Sequence, residues 1–259
     1  MPKLSANLST LFTEVPFLER FALAAKAGFH GVEFQFPYDH PAEVIGEVIQ
    51  CHDVALVLHN LPSGRNPGDR GIACDPSRVS EFRDSVDRAI HYAKTLDCPQ
   101  LNCLAGIAPE GVAPELLRDT LVANLAYAAD RLKQAGLRLV TEAINTRDIP
   151  GFYLNRSQQA LDIIAETGSD NLFLQYDIYH MQIMEGDLAP TIARILPMIG
   201  HMQLADTPGR NEPGTGEINY DFLLTRIDQL GYEGWIGCEY RPLAGTEAGL
   251  GWAERWLTK

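Results

Sequence analysis

Short apolar runs alternate along this chain with longer stretches in which apolar positions recur at helical spacing. Lys3 to Asn7 predicts a strand, and Pro16 opens a helical stretch, Phe17 to Ala27, that Gly28 stops. Gly31 to Phe34 and Val54 to His59 predict the second and third strands, with a helix from Pro41 to about Cys51 between them. The rhythm then breaks. Asn60 to Ser77 carries Pro62, Gly64, Pro67, Gly68, Gly71 and Pro76, a turn-rich loop of the kind that covers an active site. A helix over about Arg78 to Leu96 leads to a fourth strand, Gln100 to Leu104, and Glu115 to Ala135 predicts a long helix ended by Gly136. Four more strands follow: Leu139 to Glu142, Phe173 to Asp177, His201 to Gln203 and Ile236 to Glu239. Helices separate them, one N-capped by Ser157 and running through Ala165, one beginning at Asp187 and Pro190, and one over Asp221 to Leu230. Thr246 to Leu257 predicts the closing helix.

Eight strands alternating with eight helices predict an α/β fold, a (β/α)₈ TIM barrel, because alternation favours a parallel sheet with helical crossovers. A length of 259 residues gives about 32 per unit, and a single domain over residues 1–259 is expected. An open doubly wound sheet would need a glycine fingerprint after the first strand, and Asn7 to Phe12 has none. Gly214-Thr215-Gly216-Glu217-Ile218-Asn219 matches such a fingerprint only superficially and is read as a turn.

Charge narrows the partners. With 21 basic against 34 acidic residues the net charge is −13, a field that repels phosphate backbones and anionic membranes, so neither nucleic acid nor a membrane is an expected partner. A small anionic substrate remains compatible, because a bound cation and one or two arginines reverse the potential locally. Five cysteines without a Cys-x-x-Cys pair argue against a disulfide framework. The amino terminus lacks the apolar core of a signal peptide, and no run approaches the ~20 residues of a membrane span, so a cytoplasmic location is expected. Hydrophobic outer helices would allow self-association into a homo-oligomer.

The candidate chemistry sits at four strand ends. Glu142, Asp177, Gln203 and Glu239 are separated by 35, 26 and 36 residues, one βα unit per interval. Successive parallel strands therefore bring three carboxylates and one amide oxygen to the same rim. A single glutamate at a strand end is ordinarily just a polar cap; four oxygen donors in succession at this spacing predict a divalent cation site, Mg²⁺ or Mn²⁺ rather than zinc. Glu142 and Glu239 lie three strands apart in the ring and would face a ligand from opposite sides, one taking a proton and the other returning one. With the cation stabilising an enediolate, such a pair would isomerise an α-hydroxycarbonyl compound. His180 and Arg210 are expected on rim loops, His180 to hydrogen-bond a substrate oxygen and Arg210 to clamp its carboxylate. His59, Asn60 and Arg70 border the turn-rich loop and are weaker substrate-binding candidates, while Cys103 and Cys238 fall within strands as core residues.

The residues also resemble a family. Phe34 to Asp39, His59 to Pro62, Arg70 to Cys74, Asp148 to Phe152, Tyr176 to Gln182, Glu212 to Tyr220 and Gly237 to Tyr240 are similar to hydroxypyruvate isomerase, within the xylose-isomerase-like barrel superfamily, and the resemblance spans nearly the whole chain. It implies the same metal set, with Glu142 and Glu239 as the proton-transfer pair, no nicotinamide or flavin, and interconversion of hydroxypyruvate with tartronate semialdehyde. Where the family commonly has proline after the first glutamate, this chain has Ala143, which would loosen that turn. The 2-oxo-tetronate isomerases share the metal set and differ in the loops; the His59 to Pro62 and Thr207 to Arg210 stretches lean toward hydroxypyruvate. Two other classes compete: a metal-dependent phosphodiesterase, which would want a histidine-rich cluster and a basic groove, and a non-catalytic barrel that binds a sugar acid.

Overall fold

The computed structural model describes residues 2–257. Its eight strands, β1 (Lys3–Asn7), β2 (Gly31–Phe34), β3 (Ala55–Asn60), β4 (Gln100–Cys103), β5 (Arg138–Glu142), β6 (Leu172–Asp177), β7 (Ile199–Leu204) and β8 (Trp235–Cys238), are all parallel. They follow one another around a closed barrel, β8 pairing with β1. The crossovers are α1 (Arg20–Lys26), α2 (Ala42–His52), α3 (Val79–Thr95), α4 (Pro114–Gln134), α5 (Ser157–Thr167), the pair α6 (Ile178–Met184) and α7 (Leu188–Ile195), and α8 (Tyr220–Gln229).

Local chemistry sets these boundaries. Pro114 opens α4 at a position where a missing N–H costs nothing, and Gly168, at φ 64°, closes α5 in the left-handed conformation that lacks a Cβ penalty. Asn219 caps α8 through its side-chain oxygen, which accepts from Phe222 N. Ser157 does not cap α5. It is the first helical residue, and its N–H and hydroxyl both donate to the Glu185 carboxylate, each at 2.8 Å, so a tertiary partner replaces the expected local one. The closing helix is expected over Thr246 to Leu257, but Glu247–Ala253 winds as a 3₁₀ segment and only Glu254–Leu257 is α-helical. Gly249 and Gly251 in that stretch weaken the wider α-helical turn.

Between strands and helices lies an apolar shell, and a smaller cluster of Val57, Leu58 and Val140, with Phe173 and Trp235 against it, forms a second core. Toward the carboxyl ends of the strands the interior turns polar: Ser5, Asn7, Glu33, Asn102, Gln175, His201 and Gln203 are all buried. A barrel interior is normally filled by branched apolar side chains, so this polar layer marks where the scaffold serves something other than packing. No helix among the described residues is long and apolar enough to cross a membrane.

Candidate active site

Glu142 closes β5, Asp177 closes β6 and Gln203 stands next to last in β7, with Asp177 opposite Gln203 in register. Glu239 comes one residue after β8 ends at Cys238. All four are buried, none more than 5% exposed. A cavity of about 420 Å³ opens at this rim, within the range of small-ligand sites. Glu142, Gln203, Glu239, His180, Arg210, Asn60 and Arg70 all line it.

Asp177 has two jobs. Its Oδ1 accepts from Tyr179 N at 2.8 Å and from His180 N at 3.3 Å, capping α6, while Oδ2 lies 3.5 Å from His180 Nε2. His180 therefore sits in the first turn of a helix, not on a loop as its sequence context predicts, and the cap aims its ring at the carboxylates. Its Nε2 is also 3.7 Å from Glu142 Oε1. Glu142, Asp177 and His180 offer ligand atoms within 4.8 Å of one another, a cluster able to hold a metal ion.

The histidine tautomer bears on its role. Asn145 is oriented by Asp148, whose N–H donates to Asn145 Oδ1 at 2.7 Å and whose carboxylate accepts from Asn145 Nδ2 at 3.2 Å. That leaves the amide Nδ2 facing His180 Nδ1 at 2.6 Å, so Nδ1 must accept. The neutral ring then carries its proton on Nε2, the atom turned to the carboxylates. Burial, with the Arg210 charge added, holds the imidazole well below its ordinary pKa, so it stays neutral.

The glutamates are shifted the other way. Burial, then the charges of Glu239 and Asp177, pushes Glu142 well above the ordinary carboxylate range, although Asn102 Nδ2 donates to its Oε2 at 3.0 Å. Burial raises Glu239 to about 7, against the opposing pull of Arg210 and a 2.8 Å hydrogen bond from Gln35 Nε2. Crowded, buried carboxylates of this kind are what a cation neutralises.

Arg210 bridges the acidic groups, 3.0 Å from Glu239 Oε1, 4.0 Å from Asp177 Oδ2 and 3.7 Å from Asp148 Oδ2, with its guanidinium over the Tyr179 ring. Burial opposes its charge, but the surrounding carboxylates outweigh burial and keep it protonated. The loop that carries it is wound around Asp206. One carboxylate oxygen accepts from Thr207 N and Ile218 N, the other from Gly214 N and Gly216 N. This explains the glycine-rich stretch: a Cβ on Gly216 would lie 2.0 Å from Thr207 O.

The weaker candidates divide. Asn60 and Arg70 reach the cavity. His59 does not. It points the other way from β3, fully buried, stacked on Phe34 and edge-on to Tyr38, with Nδ1 3.0 Å from Asn60 O, and burial lowers its pKa to about 4. The alternation of a strand forbids His59 and Asn60 from both facing inward. The loop after Asn60 is pinned by buried Ile72, Ala73 and Cys74 and by Arg78 gripping Asp69, and only part of it stands at the rim. The turn after Glu142 is also fixed despite Ala143, since Ile144 N donates to Leu154 O at 2.9 Å. Sequence reasoning missed Asn102, Asn145, Asp148 and Arg241 at the site. Asn102 has a signal, an amide set between apolar Leu101 and Cys103 within a short strand; the others lie on loops without a periodic pattern.

A family model described as xylose isomerase-like TIM barrel matches residues 21–256. Hydroxypyruvate isomerase of Escherichia coli (strain K12) is 51% identical over 255 residues, covering 98% of this chain and 99% of that protein. A 2-oxo-tetronate isomerase of Cupriavidus necator is 44% identical, covering 99% of each. Among solved structures, that of an AP endonuclease, family 2, from Brucella melitensis superposes with a TM-score of 0.96 at 45% identity over 99% of both chains.

Proposed function

This chain belongs to the xylose isomerase-like TIM barrel family, and on that premise we propose that it is an isomerase that interconverts hydroxypyruvate and tartronate semialdehyde. The observation that carries the reading is the pair Glu142 and Glu239, two buried carboxyls lining one cavity. The reaction moves one proton from the hydroxymethyl carbon to the neighbouring carbonyl carbon and the hydroxyl proton to the former carbonyl oxygen, so the oxidation levels of the two carbons exchange and no nicotinamide or flavin is required. One glutamate removes the carbon-bound proton and the other delivers one to the adjacent carbon.

Glu142, Asp177, Gln203 and Glu239 offer buried hard oxygen donors, Glu142, Gln203 and Glu239 on the cavity and Asp177 beside Glu142, a set that fits Mg²⁺ or Mn²⁺. A divalent cation held there supplies fixed positive charge beside the two substrate oxygens as negative charge develops on them. His180, protonated at Nε2, donates a hydrogen bond to one of those oxygens; that role fits its tautomer better than metal ligation does. Arg210 binds the substrate carboxylate, assisted by Arg70 and by Arg241 on the same wall, and Asn60 supplies a further polar contact. The cavity volume also admits the four-carbon 2-oxo-tetronate, the acid named in three relatives, and that is the alternative substrate. The phosphodiesterase alternative, in line with the name of the Brucella structure, fits poorly with a net charge of −13 and with a single histidine in the metal-capable cluster of the described residues. A non-catalytic role leaves the raised glutamate pair without purpose. Five free cysteines are in keeping with a reducing, cytoplasmic setting, and we take residues 1–259 as a single barrel.

The test is proton NMR of hydroxypyruvate, and separately of 2-oxo-tetronate, with chelator-stripped protein before and after adding Mg²⁺ or Mn²⁺. Metal-restored conversion of hydroxypyruvate to tartronate semialdehyde is expected. Conversion of the longer acid alone would replace the substrate, and conversion of neither would remove the reading.

A further inference from the structure

Below the cation site, inside the barrel, the Glu33 side chain is fully buried and makes no contact with the cavity. Its carboxylate is fully hydrogen-bonded. Oε2 accepts from Ser5 Oγ at 2.8 Å and lies 2.9 Å from His201 Nε2; Oε1 accepts from Asn7 Nδ2 at 3.1 Å and from Gln203 Nε2 at 2.7 Å. The Asn7 amide is set independently, because its Oδ1 takes Ser9 N at 3.0 Å. A carboxylate with four such partners has only acceptor sites to offer, so the end of the Gln203 amide that faces it has to be the NH₂. Gln203 Oε1 is thereby left at the other end, where it accepts from Gln175 Nε2 at 2.7 Å, and both of these glutamines line the cavity. One lone pair of Oε1 stays available.

The fold makes room for this carboxylate at one place. Gly237 is in register with Gln203 on β7 and with Ser5 on β1, and a Cβ there would lie 2.2 Å from Glu33 Oε1 and 2.4 Å from Oε2. Glu33 thus occupies the interior position that a side chain of β8 would otherwise fill. Its neighbour also explains why residue 203 is a neutral amide: a carboxylate at that position would face Glu33 at hydrogen-bond distance with no proton between them.

We propose that Glu33 is a positioning residue, which locks the Gln203 amide with its oxygen toward the cavity and so sets the affinity of the cation site. The proposal rests on the reading of Gln203 as a ligand. Groups that orient a metal ligand in this way typically change affinity by about 10–100-fold when removed.

The experiment is Mn²⁺ titration, with free ion read by electron paramagnetic resonance, of the chelator-stripped wild type, E33Q, Q203A and the E33Q/Q203A double variant. Glutamine is nearly isosteric with Glu33 but can present its own NH₂, which removes the demand on Gln203. The expected result is a roughly 10–100-fold loss of Mn²⁺ affinity in E33Q, a comparable loss in Q203A, and little further loss in the double variant, because the two changes break one linkage. An E33Q loss that persists in full in the Q203A background overturns the proposal, since Glu33 would then act on the ion or the fold directly; so does wild-type affinity in E33Q. Wild-type affinity in Q203A instead overturns the ligand reading, and this inference with it. If E33Q does not fold, the wild-type protein labelled with [¹⁵N-amide]glutamine gives the answer: Gln203 side-chain protons, assigned by their absence in Q203A, are expected to exchange slowly with solvent, and rapid exchange overturns the lock.

Discussion

Asn145 Nδ2 stands 2.6 Å from His180 Nδ1, and Asp148 fixes the Asn145 amide so that this contact has a donor on the asparagine side. The proton of the imidazole is therefore directed to Nε2. Asn145→Asp reverses the polarity of the contact. The expected outcome is a His180 ring protonated on Nδ1, visible in its ¹⁵N shifts, and a fall in kcat of about 10–100-fold, as for loss of a positioned acid–base group. A His180 ring protonated on Nδ1 with unchanged kcat would remove the hydrogen-bond role of His180.

Arg210 is the cavity's most buried cation and lies 3.0 Å from Glu239. Arg210→Ala is expected to raise KM about tenfold or more by loss of a charge-assisted carboxylate clamp, and Arg210→Lys to recover only part of it, because an ammonium lacks the planar fork. An unchanged KM in Arg210→Ala would place the carboxylate elsewhere, with Arg70 or Arg241.

The Asp206 loop provides a separate handle on Arg210. In Gly216→Ala the added Cβ meets Thr207 O at 2.0 Å, so the loop has to shift while the barrel strands do not. A raised KM with a thermal midpoint within about 3 °C of the wild type is expected. A variant with normal KM would show that the loop wrap does not position Arg210.

In the turn-rich loop, next to Arg70, Arg78 forks onto Asp69 with contacts of 2.9 and 2.7 Å and also grips Glu81. Hydrogen bonding from Arg78 holds Asp69 below its ordinary value of 3.8. In the unfolded chain the carboxyl regains that ordinary value, so its stabilising contribution is complete above pH 3.8 and is lost as pH falls through the lower folded value. Asp69→Asn is expected to lower stability by about 1 kcal/mol at neutral pH. The gap to the wild type, followed by denaturant unfolding, should close in acid.

Much of this was legible because strand and helix leave different periods in a sequence. The barrel followed from eight such alternations; Glu142, Gln203 and Glu239 line one cavity because parallel strands deliver their carboxyl ends to one rim, and Asp177 lies beside Glu142 and His180. His59 went astray for the same reason: its neighbour Asn60 takes the inward position, and a one-residue step reverses the face. A local rule makes Ser157 a cap because it cannot see Glu185, which lies one crossover away. Glu33 looked like one more polar residue in a short strand. Only closure of the barrel brings Ser5, His201 and Gln203 around it, and contacts across so many residues leave no local pattern.

The measurement closest to the central claim is turnover of hydroxypyruvate in heavy water by the wild type, Glu142→Gln and Glu239→Gln, followed by proton NMR with saturating Mg²⁺ or Mn²⁺. Tartronate semialdehyde carrying deuterium on the carbon next to the carboxylate is expected from the wild type, with turnover falling about 10²–10⁴-fold in each variant, as for removal of a general acid or base. Near-normal turnover in either variant would contradict proton transfer by the glutamate pair.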